Sequence, residues 1–426
     1  MNMQTPLFAA QFDEMKTSLA DGEASWRQLA FDRFAAFGAP TQKREAWRYT
    51  PLGALKSALA NSTLDMDSIS TAVKAQIIPG ALHLVFISGH FVPELSGSLE
   101  GVEGLSLSTL TDAIENDDDF VDQIVLNGGE NPDEALVALN GAMVSDGLAV
   151  TIAEGAHITQ PIQILYAGNP SGLVNIRNII AVGAGGRATI IETAQDAYAG
   201  SGWLNAVNQI TVEAGARLDH LRIMADGEDA HHLAQTRVGL AENARYESFA
   251  LLSGGAITRH EVQATFTGSG GHCGLSGIGL GRQKQIRDVI THIDHALPDC
   301  TSAQTFKNVM DDRATSVFQG KVTVQQDAQR TDAQQSNQNI LLARTATANA
   351  KPELVIFADD VKCAHGATVG ELDADQLFYL RARGLDEASA RQLLVEGFIA
   401  DLFESIGNEA LRGHLGAIAS SWLGTS

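Results

Sequence analysis

The amino-acid sequence predicts a mainly β protein, with a β-helix (solenoid) core at 147–370 between N-terminal and C-terminal helical regions. The core prediction rests on four segments in which an apolar residue precedes a turn of small residues and another strand. They end at positions 156, 186, 216 and 244, which are 30, 30 and 28 residues apart. Such a period indicates a solenoid, because a single repeat cannot bury its own apolar face. A β-sandwich of hairpins is the alternative.

The N-terminal region, 1–146, is predicted to be helical at first and mixed afterwards. Apolar residues recur at helical spacing up to Gly38, which ends the second run. A short apolar run at 82–87, followed by a Ser–Gly turn, predicts a hairpin. Asn131 precedes a proline and can cap a short helix, and three aspartates at 117–119 predict an exposed loop.

The C-terminal region, 371–426, returns to helical spacing. Asp373 and Asp386 each precede an apolar periodic run and can cap a helix, and a third helix is predicted over 411–423. The stretch 325–339 belongs to the preceding core and contains six glutamines and two asparagines. It predicts a ladder of stacked side-chain amides, with a binding role as the alternative.

Composition excludes several classes of partner. The chain has 29 Lys and Arg against 51 Asp and Glu, a net charge of −22. This charge repels phosphate backbones and anionic lipids, so we expect neither nucleic acid nor membrane as a partner. The start of the sequence, from Met1 to Ala20, lacks the pattern of an export signal, and three cysteines are too few for a disulfide framework. We therefore expect a cytoplasmic protein.

The sequence motifs of common enzyme classes are missing. There is no P-loop pattern, so we expect this chain to bind no ATP, and there is no G-x-S-x-G nucleophile elbow. A β-helix that degrades polysaccharides would need aromatic sugar platforms, whereas aromatic residues make up 6% of the chain. We therefore expect a protein that is not an enzyme. No motif decides whether a flavin binds.

Two pairs of possible metal ligands stand out. His292 and His295 are three residues apart, which in a strand places them on opposite faces, so a structural role is predicted. Cys363 and His365 are two residues apart, which in a strand places both on one face, about 7 Å apart. A thiolate and an imidazole suit iron or zinc, but two ligands cannot complete a tetrahedral site. A buried cysteine beside a satisfied histidine is the structural alternative.

A long motif around these two residues resembles the SufD family of the SUF iron–sulfur cluster assembly machinery. It reads KPELVIFADDVKCAHGATVG at 351–370 and continues as DQLFYLRARG at 375–384. Shorter matches are DRA at 312–314, FQGK at 318–321, the Gln/Asn-rich stretch, and KREAWRYT at 43–50. The resemblance spans essentially the whole chain and is densest from about 295 to 405.

The motif distinguishes SufD from its paralogue SufB. This sequence has Cys-x-His-Gly where SufB has a Glu-His-Glu-Ala type sequence. The upstream cysteine that serves SufB as a cluster ligand has no counterpart between Asn339 and Ala350. The resemblance therefore implies a non-catalytic scaffold subunit that pairs with SufB and docks the ATPase SufC. It also implies a transient iron–sulfur cluster shared with SufB, a part in acquiring iron, and His365 and Cys363 as ligands.

The resemblance also assigns two contact surfaces. Free strand edges of a β-helix are templates for pairing with a homologous sheet. Strands near 340–366 are expected at the contact with SufB, with His365 and Cys363 facing into it, and the expected subunit-pairing residues are Asn339 and Leu341. The C-terminal helices are expected to dock the ATPase through an apolar stripe. Its residues are Leu377, Phe378, Leu394, Phe398 and Leu402. The alternatives are a core role for this stripe and a homodimeric β-helix scaffold without a cluster site.

Overall fold

The structure of the chain is a computed structural model. It describes residues 7–17, 19, 21–53, 66–98, 101–116, 129, 131–168, 172–198 and 201–424. The acidic loop predicted at 117–119 lies outside these residues. The described chain has helices towards both ends and a long run of strands between them. This order confirms the predicted mainly β fold with flanking helical regions.

The strands are numbered here in chain order. They are β1 (Leu82–Ile87), β2 (His90–Phe91), β3 (Leu105–Thr109), β4 (Leu148–Ile152), β5 (Ile162–Gly168), β6 (Leu173–Val182), β7 (Arg187–Tyr198), β8 (Trp203–Val212), β9 (Arg217–Met224), β10 (His231–Leu240), β11 (Arg245–Leu252), β12 (Ile257–Phe266), β13 (His272–Gly281), β14 (Ile286–His295), β15 (Thr301–Met310), β16 (Thr315–Val324), β17 (Asp332–Leu341), β18 (Thr347–Ile356) and β19 (Lys362–Gly370).

Helices precede, interrupt and follow the strands. They are α1 (Ala9–Lys16), α2 (Asp21–Phe37), α3 (Met66–Gln76), α4 (Leu110–Asn116), α5 (Ala135–Met143), α6 (Ala374–Ala382), α7 (Glu387–Glu404) and α8 (Glu409–Gly424). The predicted caps are present: the side chains of Asn131, Asp373 and Asp386 each accept backbone N–H bonds of 2.9 Å in the turn that follows. Such bonds satisfy N–H groups that have no partner within the helix.

The strands wind into two sheets, because each turn of the solenoid adds one strand to each of them. Sheet 1 has the order β19-β17-β15-β13-β11-β9-β7-β5-β1-β2, and sheet 2 has the order β18-β16-β14-β12-β10-β8-β6-β4-β3. In sheet 1, Arg187 pairs with Arg217, and Arg217 pairs with Arg245. These partners are separated by the same steps along the chain as the repeats seen in the sequence. The β-helix prediction is therefore confirmed.

Apolar side chains stack inside the solenoid along both sheets. The residues that open the four predicted repeats, Ile152, Val182, Val212 and Leu240, are register partners on successive strands of sheet 2. All four are 0% exposed and belong to one continuous core cluster. Burial of a side chain of this size stabilises the fold by roughly 1.5–3 kcal/mol. Stacking of repeats thus supplies the core that no single repeat could form.

The outer faces of the two sheets are covered by the terminal regions. Helices α7 and α8 pack on sheet 1, where the apolar residues Leu221, Phe249 and Ile278 face outward. On sheet 2, the Arg259 guanidinium lies 3.8 Å from the centre of the Trp47 ring and donates to the Ala46 carbonyl at 2.9 Å. Trp47 belongs to the KREAWRYT motif, which therefore fixes the N-terminal region to the solenoid.

The predicted boundary at 146/147 falls just before β4, but the sheets include earlier strands. β1 pairs in parallel with β5 in sheet 1, and β3 pairs antiparallel with β4 in sheet 2. β1 and β2 form the predicted hairpin. No helix in the described ranges is both long enough and apolar enough to cross a lipid bilayer.

Candidate functional site

The last turn of the solenoid ends in two strands with an unpaired side. β18 is the terminal strand of sheet 2, next to β16, and β19 is the terminal strand of sheet 1, next to β17. No strand among the described residues covers the other side of either one. Each therefore presents a free edge of N–H and C=O groups, which can pair with a strand of another chain. This end of the solenoid is the candidate functional site.

The free edge of β18 is interrupted by a proline. The Thr347 N–H donates to the Ala314 carbonyl of the preceding turn at 2.9 Å. Successive residues of a strand direct their backbone groups to opposite sides, so odd-numbered residues of β18 face β16 and even-numbered residues face the free edge. Pro352 occupies an even position and has no N–H to offer there.

By the same criterion, no residue at the free edge of β19 lacks its backbone N–H. The Lys362 N–H donates to the Thr331 carbonyl at 2.8 Å, so even-numbered residues of β19 face β17. Cys363, His365 and Ala367 therefore direct their backbone groups to the free edge, and β19 contains no proline. Of the two edges, β19 is the better template for a partner strand.

Cys363 and His365 lie on β19 as predicted, two residues apart. They pair in register with Ala333 and Gln335, both of which are buried on the inner face of β17. Register partners in a parallel pair point to the same face, so Cys363 and His365 share the inner face at the open end of the solenoid. Cys363 is partly buried and His365 is exposed. The structure thus brings the two predicted ligands together at a free edge.

The chemistry of these two residues is incomplete within one chain. Burial raises the pKa of the Cys363 thiol above its ordinary value, so the thiol must lose its proton before the sulfur can bind a metal ion. In the part of the chain that the structure describes, no group of three or more His, Cys, Asp and Glu side chains could hold a metal ion. A cluster at this position would need ligands from another molecule.

The Gln/Asn-rich stretch forms part of the predicted amide ladder. Asn308 donates to Asn339 across neighbouring strands at 2.9 Å, and Asn339 donates to Asn337 at 2.7 Å. The ladder is broken at Gln335, since neither atom of its buried side-chain amide has a hydrogen-bond partner. The break lies directly beside His365.

The predicted subunit-pairing residues lie one strand away from the free edge. β17 pairs with β15 on one side and with β19 on the other. Asn339 is 4% exposed and bonds to Asn308, Ser316 and the Thr368 carbonyl of its own chain. Leu341 packs against a small buried cluster. Neither residue lies on a free edge, because one further turn follows β17; the free edges belong to β18 and β19, in the region near 340–366 that the sequence predicts for the contact.

The predicted ATPase-docking residues fall into two groups. Phe378 is 74% exposed on α6, while Leu402 is 6% exposed in the contact between α7 and the solenoid. Leu377 and Leu394 are half-buried, and Phe398 is half-buried against the same contact. Leu402 therefore has the core role that the sequence left open as the alternative for this stripe.

The other histidine pair lies as predicted on opposite faces of β14. His295 points into the solenoid, is 0% exposed, and bonds to the Ser302 hydroxyl at 2.9 Å. His292 lies on the other face and bonds to the Thr323 hydroxyl at 3.1 Å. Burial lowers the pKa of His295 to about 4, so this imidazole is neutral at neutral pH. Both histidines are bonded within the fold, in agreement with a structural role.

A cluster of polar side chains lies inside the solenoid that no sequence motif had indicated. The Glu192 carboxylate accepts hydrogen bonds from Arg222 at 2.5 Å, from Tyr166 at 2.6 Å and from Asn208. Its Oε1 is also 2.7 Å from the Nε2 atom of His220. Glu192 and Arg222 are register partners on β7 and β9, one full repeat apart along the chain. The repeat period that predicted the solenoid could therefore have found this pair.

Two protein-family models match successive parts of the chain. The model described as "SUF system FeS cluster assembly, SufBD core domain" matches 165–398, and the "SufBD protein N-terminal region" matches 2–164. The boundary between them falls within β5. Together these models extend over all of sheets 1 and 2 and over most of α7.

Several curated proteins are similar over most of their length. The iron–sulfur cluster assembly protein SufD of Escherichia coli (strain K12) is 31% identical over 380 residues, which is 88% of this chain and 87% of that protein. An iron–sulfur cluster assembly SufBD family protein of Synechocystis is 31% identical over 410 residues, covering 91% and 88%. SufD of Bacillus subtilis (strain 168) is 23% identical over 379 residues, covering 87% and 86%.

Proposed function

Since the chain belongs to the SufBD family of iron–sulfur cluster assembly proteins, we propose that it is the non-catalytic scaffold subunit that pairs with SufB and docks SufC. In this role it helps to acquire iron and to hold the nascent cluster where it meets SufB. The observation that carries the proposal is the position of Cys363 and His365. They share one face of β19, at the free edge where a partner would supply the missing ligands.

Pairing through β19 would place the two ligands at the contact between subunits. The strand offers an uninterrupted row of backbone donors and acceptors, whereas Pro352 interrupts β18. An added strand gains its affinity from main-chain hydrogen bonds. A partner on β19 would also bring its own ligands within reach of His365. A neutral imidazole binds iron through one ring nitrogen, and Cys363 would follow once its thiol is deprotonated.

The test measures the cargo, meaning the iron and acid-labile sulfide, of the complex produced by co-expression with SufB and SufC. We expect His365→Ala to leave the complex intact but to lower its iron and acid-labile sulfide about tenfold, because the cluster loses a ligand. The matched control is His157→Ala, which removes an exposed histidine from an isolated β-bridge near the start of the solenoid. Iron and sulfide are measured per complex, so that a change in yield does not enter the result.

Each outcome of this test has a definite meaning. Equal loss of cargo in both variants would show a general effect of substitution. Full cargo in His365→Ala would contradict the ligand role and leave the chain a structural partner. If the wild-type chain forms no complex with SufB at all, the homodimeric scaffold without a cluster site becomes the better hypothesis.

The surface proposed for SufC is the exposed face of α6 and α7. Its large apolar side chains are Phe378 at 74% exposure, Tyr379 at 56% and Leu393 at 48%. Phe378 and Tyr379 are consecutive in α6, and exposed apolar residues that form a patch mark interaction sites. Movement of SufC would then act directly on α7, which packs against sheet 1.

We expect Phe378→Asp to weaken SufC binding at least tenfold without lowering the thermal midpoint of the free chain. A buried aromatic anchor in an interface contributes about 2 kcal/mol or more, and an exposed side chain contributes little to folding. Leu402→Asp is the matched comparison, since it places a charge in the contact between α7 and the solenoid and should lower the midpoint. Isothermal titration with SufC and a thermal melt separate the two effects. Unchanged SufC affinity in Phe378→Asp would move the docking surface elsewhere.

A further inference from the structure

A buried side-chain amide lies directly beside His365 and has no partner. Gln335 is 4% exposed, and neither its Nε2 nor its Oε1 atom makes a hydrogen bond. An unsatisfied polar group in the interior destabilises the fold, and such groups are rare in folded proteins. Of the nearby amides, Asn308, Asn337 and Asn339 are bonded to one another, and Gln304 lacks a partner at its Nε2 atom alone, whereas Gln335 lacks one at both atoms. The exception at Gln335 therefore calls for a specific explanation.

The register of sheet 1 aligns Gln335 with the proposed ligand. Gln304, Gln335 and His365 are partners on β15, β17 and β19, so they form one column on the inner face. Neighbouring strands are about 4.8 Å apart, a distance that a glutamine side chain can bridge. Gln304 accepts a 2.6 Å bond from Thr291 at Oε1, while its Nε2 atom has no partner. The free amide of Gln335 is thus the group next to His365.

Gly320, in the FQGK motif, provides the space for this amide. A Cβ atom at Gly320 would overlap Nε2 of Gln335 and would lie 2.6 Å from the Phe318 ring. The φ angle of Gly320 is not positive, so the backbone conformation does not require glycine there. The missing side chain instead allows the amide to extend across the solenoid interior. Glycine at position 320 is therefore needed to make room for the side chain of Gln335.

We propose that Gln335 is the positioning residue for His365. Its Oε1 atom has no partner in the structure, and a rotation of the exposed His365 side chain brings the N–H of one ring nitrogen to it. This bond fixes the tautomer and leaves the other nitrogen free for iron. Metal-binding histidines generally bond their second nitrogen in this way. The inference rests on the proposed function, because a fixed tautomer matters here only if His365 is a ligand.

The test reads the tautomer of His365 in the full-length chain without cargo. Nitrogen chemical shifts of ¹⁵N-histidine-labelled protein are measured, and His365 is assigned among the 12 histidines by its absence from the His365→Gln variant. We expect one dominant tautomer in the wild type and a mixture in Gln335→Leu. Gln335→Glu keeps an acceptor oxygen at the same position and should restore the single tautomer. Gln334→Leu, on the opposite face of the same strand, should have no effect.

Two further measurements keep the inference distinct from the proposed function. Gly320→Ala should produce the same mixture, since the added methyl group displaces the amide of Gln335. In the complex with SufB and SufC, Gln335→Leu should lower iron content about tenfold, and Gln335→Glu should restore it. An unchanged His365 tautomer in Gln335→Leu would overturn the positioning role even if His365→Ala loses its iron. Full iron in His365→Ala would overturn the proposed function, and the role of Gln335 with it.

Discussion

Replacing Ala367 by proline is expected to weaken the proposed pairing of the chain with SufB while the solenoid stays folded. Ala367 is at an odd position of β19, so its N–H faces the free edge and takes no part in the bonds to β17. Proline there removes one donor from the pairing edge, and its ring keeps a partner strand from lying alongside. We expect the complex to weaken at least tenfold, which corresponds to about 1.4 kcal/mol.

The matched control for this prediction is Ala350→Pro on β18. Ala350 also directs its N–H to a free edge, but Pro352 already interrupts that edge. We therefore expect a clearly smaller effect. Co-purification and sedimentation measure the complex, and the thermal midpoint of the free chain shows that each variant folds. Normal pairing by Ala367→Pro would exclude β19 as the contact edge, and a larger effect from Ala350→Pro would assign the contact to sheet 2.

The solenoid could be predicted from the sequence because its first repeats end in turns with the same backbone conformation. Gly155, Gly185 and Gly215 all adopt a positive φ of 66–67° in these turns, and glycine is the residue best suited to that conformation. The apolar residue before each turn stacks on its counterpart in the next repeat. A local backbone requirement and a long-range packing requirement thus appear together in the sequence, which makes the period easy to see.

The free edge could not be assigned from the sequence in the same way. The spacing between register partners grows towards the end of the solenoid, where Thr301 pairs with Asp332 and Thr315 pairs with Thr347. Longer turns obscure where the last repeat ends. The residue types of 325–339 do not show which of the amides face the interior, where Asn339 and Gln335 lie. The position of a strand at an edge depends on how many turns follow it, and the early period does not determine that number.

Burial on both faces also hides which side chains point inward. Helices cover both sheets over much of their length, so inner and outer positions are both apolar along strands such as β7 and β9. Alternation of polar and apolar residues then no longer distinguishes the inner face of a strand from its outer face. Only the register shows that Glu192 and Arg222 share the interior. For the same reason, an apolar residue such as Leu402 reads as interface or core from the sequence alone.

Replacing Arg222 by methionine is expected to cost about 3–5 kcal/mol of folding stability. The side chains of Glu192 and Arg222 are each 1% exposed, and their N···O distance is 2.5 Å. Burial by itself would raise the pKa of Glu192, but Arg222 and His220 outweigh it and hold the pKa well below its ordinary value. Without the guanidinium, the carboxylate loses its main counter-charge in the solenoid interior.

The pH dependence of this cost follows from the direction of the shift. A depressed carboxylate pKa contributes stability that is complete above the pKa of the unfolded chain, about 4.3, and is lost as the pH falls towards the folded value. The difference between wild type and Arg222→Met should therefore be full at pH 7 and shrink below about pH 4. Urea midpoints at a series of pH values measure this difference.

Arg217→Met is the control for the loss of Arg222, since it removes an arginine from the outer face of the same strand. Arg217 pairs with Asp219 at 2.9 Å, but the two side chains are 46% and 32% exposed. Exposed pairs contribute about 0–1 kcal/mol, so this variant should be nearly as stable as the wild type. The double variant Glu192→Met/Arg222→Met, which removes both charges, should recover at least about 1 kcal/mol relative to Arg222→Met. Equal costs for Arg217→Met and Arg222→Met would show that the interior pair is no more important to the fold than a surface one.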